Sequence, residues 1–342
     1  MIDSVVKQNR RNHWIILGFL VALLVVVVLS FGLGRYPITP RELFGFLFSK
    51  IAPIEPFWPA RMENVLLNIR LPRILLACMV GCSLSAAGAA YQGIFQNPMA
   101  SPDILGASAG AAVGAALAIL LRASSQMITF SSFVFSTLTV ALVWLVGRYA
   151  KGKQSIGLIL AGIMIGSLAS ACTSYIKLIA DPNDQLPAIT YWLMGSLSGA
   201  RMSDVVFAAI PMAAGIIPLL LLRWRITILT MGDTQARTMG VPTTAVRLVV
   251  ISAATLLTAA SVAVSGTIGW VGLVIPHLTR RLVGNDYRFL MPLSMLFGAL
   301  FLLLVDNVAR NLFISEAPLG ILTAFIGAPF FLYLITKRGD IV

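Results

Sequence analysis

Long apolar runs separated by short polar stretches make up most of the chain. The run at 14–33 is almost unbroken, and its residues 25–29 are all Val or Leu. A helix of about 20 such residues is long enough to cross the hydrocarbon core of a bilayer. Lipid cannot hydrogen-bond to the backbone, so a spanning segment must be a helix or part of a closed barrel. Barrel strands alternate apolar and polar residues over about ten positions, and this chain shows no such alternation.

The apolar pattern therefore predicts an all-α, polytopic membrane protein with about ten transmembrane helices. We expect a single transmembrane domain that covers residues 1–342, with 1–13 as an N-terminal extension. Basic residues before the first run are also typical of a signal peptide, but this run is too long for one and no small-residue cleavage motif follows it. The helices are predicted at 14–33, 73–92, 104–121, 127–147, 155–180, 204–222, 246–266, 269–283, 290–309 and 319–336.

Charge is scarce, and its distribution predicts the orientation. Only 11% of the residues are charged, whereas a soluble domain has about 25%. The net charge is +12, and dense Lys and Arg clusters fall in every second connection and at both ends of the chain. The positive-inside rule places that side, with both termini, in the cytoplasm, so we expect a multi-pass protein of the inner (cytoplasmic) cell membrane. Six basic residues between 35 and 73 fall on the opposite side, and the rule does not explain them.

The connection at 96–106 reads QNPMASPDILG and contains one charged residue, Asp103. Its two prolines and its asparagine predict a rigid turn. A plain connector is the simpler interpretation. A cytoplasmic loop with so little charge, however, is expected to fold back into the bundle, where irregular backbone is tolerated against protein or a water-filled cavity.

The longest predicted cytoplasmic connection, 223–247, combines polar residues with apolar ones. Gly232, Gly240 and Pro242 divide it into two short helical stretches. A disordered linker would contain few apolar residues, but this segment includes several Ile, Leu and Met side chains. Because long structured loops are usually functional, we predict a docking surface for a soluble partner.

Several motifs are typical of chemistry, but each has a simpler explanation. Residues 147–154, GRYAKGKQ, resemble a phosphate-binding P-loop, yet Gln154 replaces the required Ser or Thr and no strand precedes it. Cys78 and Cys82 lie one helical turn apart without a His or an acid at ligand spacing, so packing is the expected role. We predict no catalytic residue, no cofactor, no metal site and no ATP hydrolysis by this chain.

Ionisable residues at membrane depth are few, and Asp306, with Asn307 and Arg310 nearby, is the main one. Carriers driven by protons or sodium usually need such groups, so their scarcity favours an external energy source. Two other classes stay open. A secondary carrier or channel would work without an ATPase, and a membrane enzyme would need paired carboxylates or a His cluster, which a chain with two His does not suggest.

Six segments, in the same order and over almost the whole chain, resemble the FecCD-type permeases. These are the membrane subunits of type II ABC importers for ferric siderophores, haem and cobalamin. The main departure is QNPMA, where the family usually has NPLA, and Met for Leu is conservative. The segments are RLPR at 70–73, GxxxSAAGAAYQGIFQNPMASPDILGASAGA at 81–111, YWLMGSLSG at 191–199, MGDTQARTMGVP at 231–242, GTIGWVGLVIPHLTR at 266–280 and EAPLGILTAFIGAPFFLYLI at 316–335.

The resemblance implies ten helices per subunit and a two-fold dimer, formed with an identical chain or a close paralogue, with the pathway at the interface. It also implies two cytoplasmic ATPase subunits and an extracytoplasmic substrate-binding protein, and no nucleic acid. The expected cargo is an iron chelate, either a ferric siderophore or haem. Cobalamin and a metal oxyanion are the alternatives.

Three groups of residues are predicted to carry this function. A cytoplasmic gate is expected at Asn97, Pro98 and Met99, together with Ser155. Docking of the binding protein is expected at Arg70, Arg73 and Arg310, because an arginine fork pairs with carboxylates through two hydrogen bonds. The simpler interpretation of these arginines is that they extend to outer lipid headgroups. Coupling to the ATPase is expected at Gly232, Asp233, Thr234, Gln235, Ala236, Met239 and Gly240.

Overall fold

The computed structural model describes residues 2–49, 55, 57–149, 154–312 and 316–336. Every regular element within these residues is helical, which confirms the predicted all-α class. Seven of the helices are long and apolar enough to cross a membrane. The α-helices are α1 Ile2–Gly32, α2 Pro40–Ser49, α3 Ala60–Asn64, α4 Leu71–Ile94, α5 Ala107–Leu120, α6 Ser125–Arg148, α7 Gln154–Ile179, α8 Gln185–Met194, α9 Met202–Leu229, α10 Asp233–Thr238, α11 Thr243–Ser265, α12 Val271–Val283, α13 Tyr287–Leu312 and α14 Leu319–Thr336.

Each of the ten predicted runs coincides with one of these helices, and α2, α3, α8 and α10 lie in the connections between them. A π-helical turn, Val65–Arg70, joins α3 to α4. Most of the predicted extension 1–13 belongs to α1.

The connection predicted at 223–247 shortens to 230–242, because α9 continues to Leu229 and α11 begins at Thr243. Arginine is a good helix former, so the basic residues at the end of α9 continue the helix beyond its apolar part.

Helix α4 is the centre of the bundle and packs against α9, α11, α12 and α13. Its many small residues allow neighbouring backbones to approach closely. A Cβ atom at Gly88 would lie 1.8 Å from the carbonyl oxygen of Gly272 in α12, and one at Gly81 would lie 2.2 Å from that of Gly298 in α13. Glycine at these positions therefore sets the distance between the central helices.

Helix α1 lies at the edge of the bundle, against α13. Only 6% of its most apolar 18-residue stretch is buried within the chain. Its exposed side chains include Leu20, Leu24, Val25 and Leu29. An apolar surface of this extent is suited to lipid, which requires neither charge nor hydrogen-bonding groups from the side chains it surrounds.

The helices define two ends of the bundle, which we name after residues that lie there. The C-terminus of α1, the N-terminus of α4 and the C-terminus of α13 meet at the Arg73 end. The C-termini of α4 and α9 meet the N-terminus of α13 at the Tyr287 end. The start of α1 is also at the Tyr287 end, where Asn12 Nδ2 donates to the carbonyl of Val283 at 3.3 Å.

Two irregular turns, at 195–200 and 266–270, lie against each other inside the bundle. The backbone N–H of Ser196 donates to the carbonyl of Ser265 at 2.8 Å, and that of Leu319 donates to Gly195 at 2.8 Å. Irregular backbone at membrane depth must find such partners within the protein. These bonds join the turn after α8 to the end of α11 and the start of α14.

Candidate functional site

The segment 96–106 folds back into the bundle, as its lack of charge predicted. Ala100 and Leu105 are fully buried. The ring of Pro102 packs so closely on α12 that a Cβ atom at Gly272 would lie 2.2 Å from it. The carboxylate of Asp103 accepts a 2.8 Å hydrogen bond from the backbone N–H of Ser108 in the first turn of α5. The one charged side chain of this segment therefore binds the N-terminus of α5, where the helix dipole favours a carboxylate.

The predicted gate residues lie at the tip of this segment, at the Tyr287 end. Asn97 caps the turn, since its side-chain oxygen accepts a 2.9 Å hydrogen bond from the N–H of Met99. Pro98 and Met99 are exposed, and Met99 is 48% exposed. The side chain of Ser155, the fourth predicted gate residue, lies outside the described residues. The structure therefore brings three of the four residues together on one rigid turn.

The predicted coupling residues lie on α10 and the two turns that flank it. Gly232 and Gly240 have φ values of +112° and +76°, which residues with a Cβ rarely adopt. Asp233 binds Arg247 of α11 through two hydrogen bonds, 2.6 and 3.0 Å long. This fork attaches the start of α10 to the body of the bundle.

The two faces of α10 differ in exposure. Ala236 is fully buried, whereas Met231 and Met239 are 58% and 53% exposed. Thr234 and Gln235 are also exposed. Met231, which was not among the predicted coupling residues, therefore extends the exposed surface. Ala236, a predicted coupling residue, lies on the opposite, buried face of α10.

Gln96 connects the gate turn to the coupling segment. Its side-chain Nε2 donates a 2.7 Å hydrogen bond to the carbonyl of Leu229, the last residue of α9. Nearby, the Tyr287 hydroxyl donates to the carbonyl of Ala89 in α4 at 2.9 Å. Gln96, Asn97 and Tyr287 line one cavity of about 310 Å³. The residue before the predicted gate is therefore bonded to the end of α9, three residues before the predicted coupling residues begin.

The turn before α13 adds a charged pair to the same end. Burial would raise the pKa of the Asp286 carboxyl, but hydrogen bonds from Arg288 and Thr227 outweigh it and hold that pKa below its ordinary value. The backbone N–H of Tyr287 donates to the Thr227 hydroxyl at 2.9 Å. Asp286 therefore stays ionised at neutral pH and helps to fix α13 against α9.

At the opposite end, buried charges join α4 to α13 and to the segment before α14. The Arg73 guanidinium binds Asp306 at 2.9 Å and Glu316 at 2.7 Å. Asp306 is fully buried, and Arg310 lies 4.0 Å from it, one helical turn along α13. A buried carboxylate is tolerated when such partners compensate the loss of hydration. The network holds three separate parts of the chain together.

The other two predicted docking arginines also have internal partners. Arg70 donates to the backbone carbonyls of Phe31 and Tyr36, the latter at 2.6 Å. Arg310 donates to the carbonyl of Ser30 at 2.9 Å. Both arginines therefore hold the end of α1 and the residues that follow it.

The three arginines predicted to dock the binding protein are buried within the chain. Arg70, Arg73 and Arg310 are 3%, 6% and 6% exposed. Side chains that extend to lipid headgroups would not be enclosed in this way. They are buried because the acids and backbone carbonyls described above bind them. Of these partners, only Asp306 had been linked to Arg310 from the sequence. The role of the arginines in docking stays a prediction.

Another cavity, of about 530 Å³, is lined by α4, the 101–103 turn, α5, α7, α11 and the turn before α12. Trp270 forms part of its wall and has a φ of +70°. Its lining contains hydroxyl groups and one carboxylate, and no Lys or Arg within the described residues. These polar residues are Ser101, Asp103, Ser108, Ser170, Thr258 and Thr267.

Comparisons with known proteins match this arrangement over nearly the full length. The model of the FecCD transport family matches residues 22–337. The molybdate import system permease protein MolB of Haemophilus influenzae is 40% identical over 323 residues, which are 94% of this chain and 95% of MolB. The hemin transport system permease protein HmuU of Yersinia pestis is 36% identical over 343 residues, 97% of this chain and 98% of HmuU.

A solved structure is similar as well. It is described as an inward-facing conformation of an ABC transporter assigned to the metal-chelate type, and it superposes with a TM-score of 0.85 at 39% identity. The match covers 95% of this chain and 99% of that one. The all-helical bundle and these full-length matches lead to one assignment: the chain belongs to the FecCD transport family and is the permease subunit of an ABC importer, in which a separate subunit hydrolyses ATP.

Proposed function

We propose that the cargo is a ferric chelate, either a siderophore complex or haem, delivered by a substrate-binding protein. The observation that carries this proposal is the lining of the 530 Å³ cavity, which offers hydroxyl groups and one carboxylate and, among the described residues, no Lys or Arg. Such a wall suits a bulky chelate that must pass without being held by an ion pair. Relatives support the same class: HmuU is a hemin permease, and a Helicobacter pylori relative with 41% identity over 276 residues is a probable iron chelatin permease.

Molybdate is the second candidate, and the similarity to MolB over 94% of the chain favours it. Hydroxyl and backbone N–H groups also bind tetrahedral oxyanions without a formal charge. Cobalamin is a third candidate, because the cobalamin permease BtuC of Halobacterium salinarum is 38% identical over 84% of the chain.

Transport by the reconstituted importer distinguishes the three. The permease, its ATPase and its binding protein would be placed in proteoliposomes with radiolabelled ferric chelate, molybdate or cobalamin. We expect ATP-dependent uptake of the ferric chelate, unaffected by excess molybdate. Uptake of molybdate or cobalamin alone would overturn the proposed cargo.

The assembly is proposed to contain two permease chains, identical or closely related, with two cytoplasmic ATPase subunits and one extracytoplasmic binding protein. The multi-pass permease would lie in the cell membrane with both termini in the cytoplasm. Native mass measurement of the purified complex tests the stoichiometry. Uptake that persists without the co-expressed ATPase would instead support a motor-independent carrier.

We propose that the exposed residues of α10 and its flanking turns contact the ATPase. The fork between Asp233 and Arg247 would pass the movement of this segment into α11. Replacing Gly240 with Val is expected to abolish ATP hydrolysis stimulated by the binding protein, because the backbone there has a φ of +76°. Unchanged stimulation would contradict the coupling role.

The gate is proposed to form where the 97–99 turns of two chains meet, with Ser155 at the same level. Cysteines at 97 or 99 in both chains should form a disulfide in the closed state and stop transport. A cysteine at Asn285, exposed at the same end, is the control that should not crosslink. The gate proposal fails if no nucleotide state permits the crosslink.

Docking of the binding protein is proposed at the Arg73 end, which would be extracytoplasmic. A partner carboxylate can reach the guanidinium of Arg73 only by displacing Glu316, which is bound at 2.7 Å and is the more exposed of its two acids. Glu316→Gln should therefore strengthen docking several-fold, and Arg73→Glu should weaken it, most at low salt because screening is then least. If Glu316→Gln leaves the affinity unchanged at every salt concentration, the arginines serve the fold alone.

A further inference from the structure

The basic residues between 35 and 73 are not all explained by the buried network. Arg70 and Arg73 belong to that network, but Arg41 and Arg61 are exposed. Arg41 lies beside a set of exposed aromatic side chains, and Arg61 follows one of them, Phe57, by four positions. Phe44, Phe48 and Phe57 are 59%, 61% and 49% exposed. Exposed apolar patches rimmed by polar groups commonly mark a contact with a partner or a membrane. This segment therefore requires a partner of its own.

Helix α2 has two apolar faces with different surroundings. Leu43 and Phe46 are buried in a small cluster with Trp58, Met62 and Leu66. The opposite face carries Phe44 and Phe48, one turn apart, and Arg41 lies on that face one turn earlier because residues three and four apart are neighbours on a helix. The inner face packs within the chain, whereas the exposed phenylalanines are outside this cluster.

Phe57 completes the exposed face. Its ring lies on α2 at Gly45, where a Cβ atom would be 2.5 Å from the ring. The Arg41 guanidinium is positioned over the same ring, with its Cζ atom 5.3 Å from the centroid. A cation over an aromatic face is favourable, so Arg41 and Phe57 form one continuous amphipathic surface with the two phenylalanines of α2.

The connectivity places this surface at the rim of the bundle, beside lipid. Helix α2 follows the C-terminus of α1 by seven residues, and Arg70 binds the connecting segment at Tyr36. Helix α1 is the edge helix whose apolar side chains, Leu29 and Leu33 included, are exposed. Helix α2 also contacts α1, so its aromatic face lies near a surface suited to the bilayer.

We propose that α2 and Phe57 form an interfacial lipid-binding surface at the Arg73 end. Phe44, Phe48 and Phe57 enter the boundary between headgroups and acyl chains, and Arg41 and Arg61 contact lipid phosphates. Amphipathic helices that lie in the plane of the interface combine aromatic or aliphatic residues with basic ones in this way. Anionic headgroups attract the arginines, which accounts for positive charge on a side where the positive-inside rule does not require it.

Site-directed spin labelling of the assembled importer in nanodiscs tests this proposal. Single cysteines at 44 and 48 would be labelled after replacement of Cys78, Cys82 and Cys172. A label at Leu24 of α1 is the lipid control, and one at Asn183, exposed in the polar turn between α7 and α8, is the water control. Relaxation by dissolved oxygen reports lipid, and relaxation by a water-soluble nickel chelate reports water.

We expect labels at 44 and 48 to respond to oxygen as the Leu24 label does and to be shielded from the nickel chelate. A response like that of the Asn183 label would overturn the proposal. So would shielding that occurs only after the binding protein is added, because the surface would then dock a protein. Melting temperatures of the labelled chains, expected to match the unlabelled chain, exclude loss of fold as a cause.

Lipid composition tests the two arginines separately. In pure phosphatidylcholine the label at 48 should lie shallower than in a mixture with phosphatidylglycerol. The double variant Arg41→Gln/Arg61→Gln should show the same depth in both. A depth that does not depend on phosphatidylglycerol in the parent chain would overturn the contact with phosphate.

Discussion

The side-chain amide of Gln96 donates a 2.7 Å hydrogen bond to the backbone carbonyl of Leu229, from which it is separated by 133 positions in the sequence. Gln96 has a left-handed backbone, with a φ of +51°, and directly precedes the turn at 97–99. Leu229 ends α9, three residues before Gly232. One hydrogen bond therefore joins the residue before the proposed gate to the residue three positions before Gly232. We expect this bond to transmit a movement of α10 to the 97–99 turn.

Gln96→Glu keeps the shape of the side chain but removes its N–H donor. We expect transport to fall while ATP hydrolysis persists, because the gate no longer follows the ATPase. A hydrogen bond of this kind contributes about 0.5–1.5 kcal/mol, so the loss in transport per ATP should be a few-fold to about tenfold. Uptake and hydrolysis would be measured together in proteoliposomes.

Gln96→Gly is the matched control for the backbone, since it relieves the left-handed conformation and also lacks the bond. A similar defect in both variants would assign the effect to the hydrogen bond. Normal coupling in both would contradict the link between Gln96 and Leu229.

Arg73→Ala would leave Asp306 buried without its closest cation. Removing one partner of a buried pair typically costs about 3–5 kcal/mol. We expect a clearly lower midpoint of thermal or denaturant unfolding in detergent, with Arg281→Ala, an exposed arginine, as a neutral control.

The double variant Arg73→Ala/Asp306→Ala should recover part of the stability, because no unpaired charge is then buried. A single variant as stable as the Arg281→Ala control would show that the network does not hold the fold.

Arg247→Lys keeps the charge opposite Asp233 but cannot form the two-bond fork. The side chain of Asp233 is 42% exposed, so the effect on stability should be small, below about 1 kcal/mol. We expect reduced stimulation of ATP hydrolysis by the binding protein, with basal hydrolysis preserved. The exchange Asp233→Arg/Arg247→Asp should restore part of the stimulation, and a fully stimulated Arg247→Lys importer would contradict this role.

Gly88→Val should prevent α4 from packing on α12, because a Cβ atom there would lie 1.8 Å from the carbonyl oxygen of Gly272. Overpacking of this kind costs about 1–3 kcal/mol or more. Gly199→Ala is the matched control, since nothing lies within 4 Å of a Cβ atom at that position. Expression and melting temperature would be compared, and equal behaviour of the two variants would contradict the close approach of α4 and α12.

Much of the fold follows from local pattern. The run at 14–33 predicts α1 because lipid requires a spanning segment to satisfy its own backbone hydrogen bonds. The prolines and the lack of charge at 96–106 likewise predict a buried turn. In each case the information lies within the segment, so the sequence is sufficient.

The short helices were harder to predict. Helix α2 combines an inner face in a small cluster with an outer aromatic face, so its apolar residues do not form a single stripe that periodicity detects. The end of α9 was misplaced because the prediction followed hydropathy, and a helix can continue into water beyond its apolar part.

The sequence by itself determined the class, the apolar spans and the family, since these depend on runs and motifs that need no partner. Only the tertiary structure decided what the unusual charges do. Arg73 and Asp306 are separated by 233 positions, and nothing in the neighbourhood of either residue indicates the other. They meet because small residues bring α4 and α13 close together, and the cost of burying one charge without the other makes the pair part of the fold.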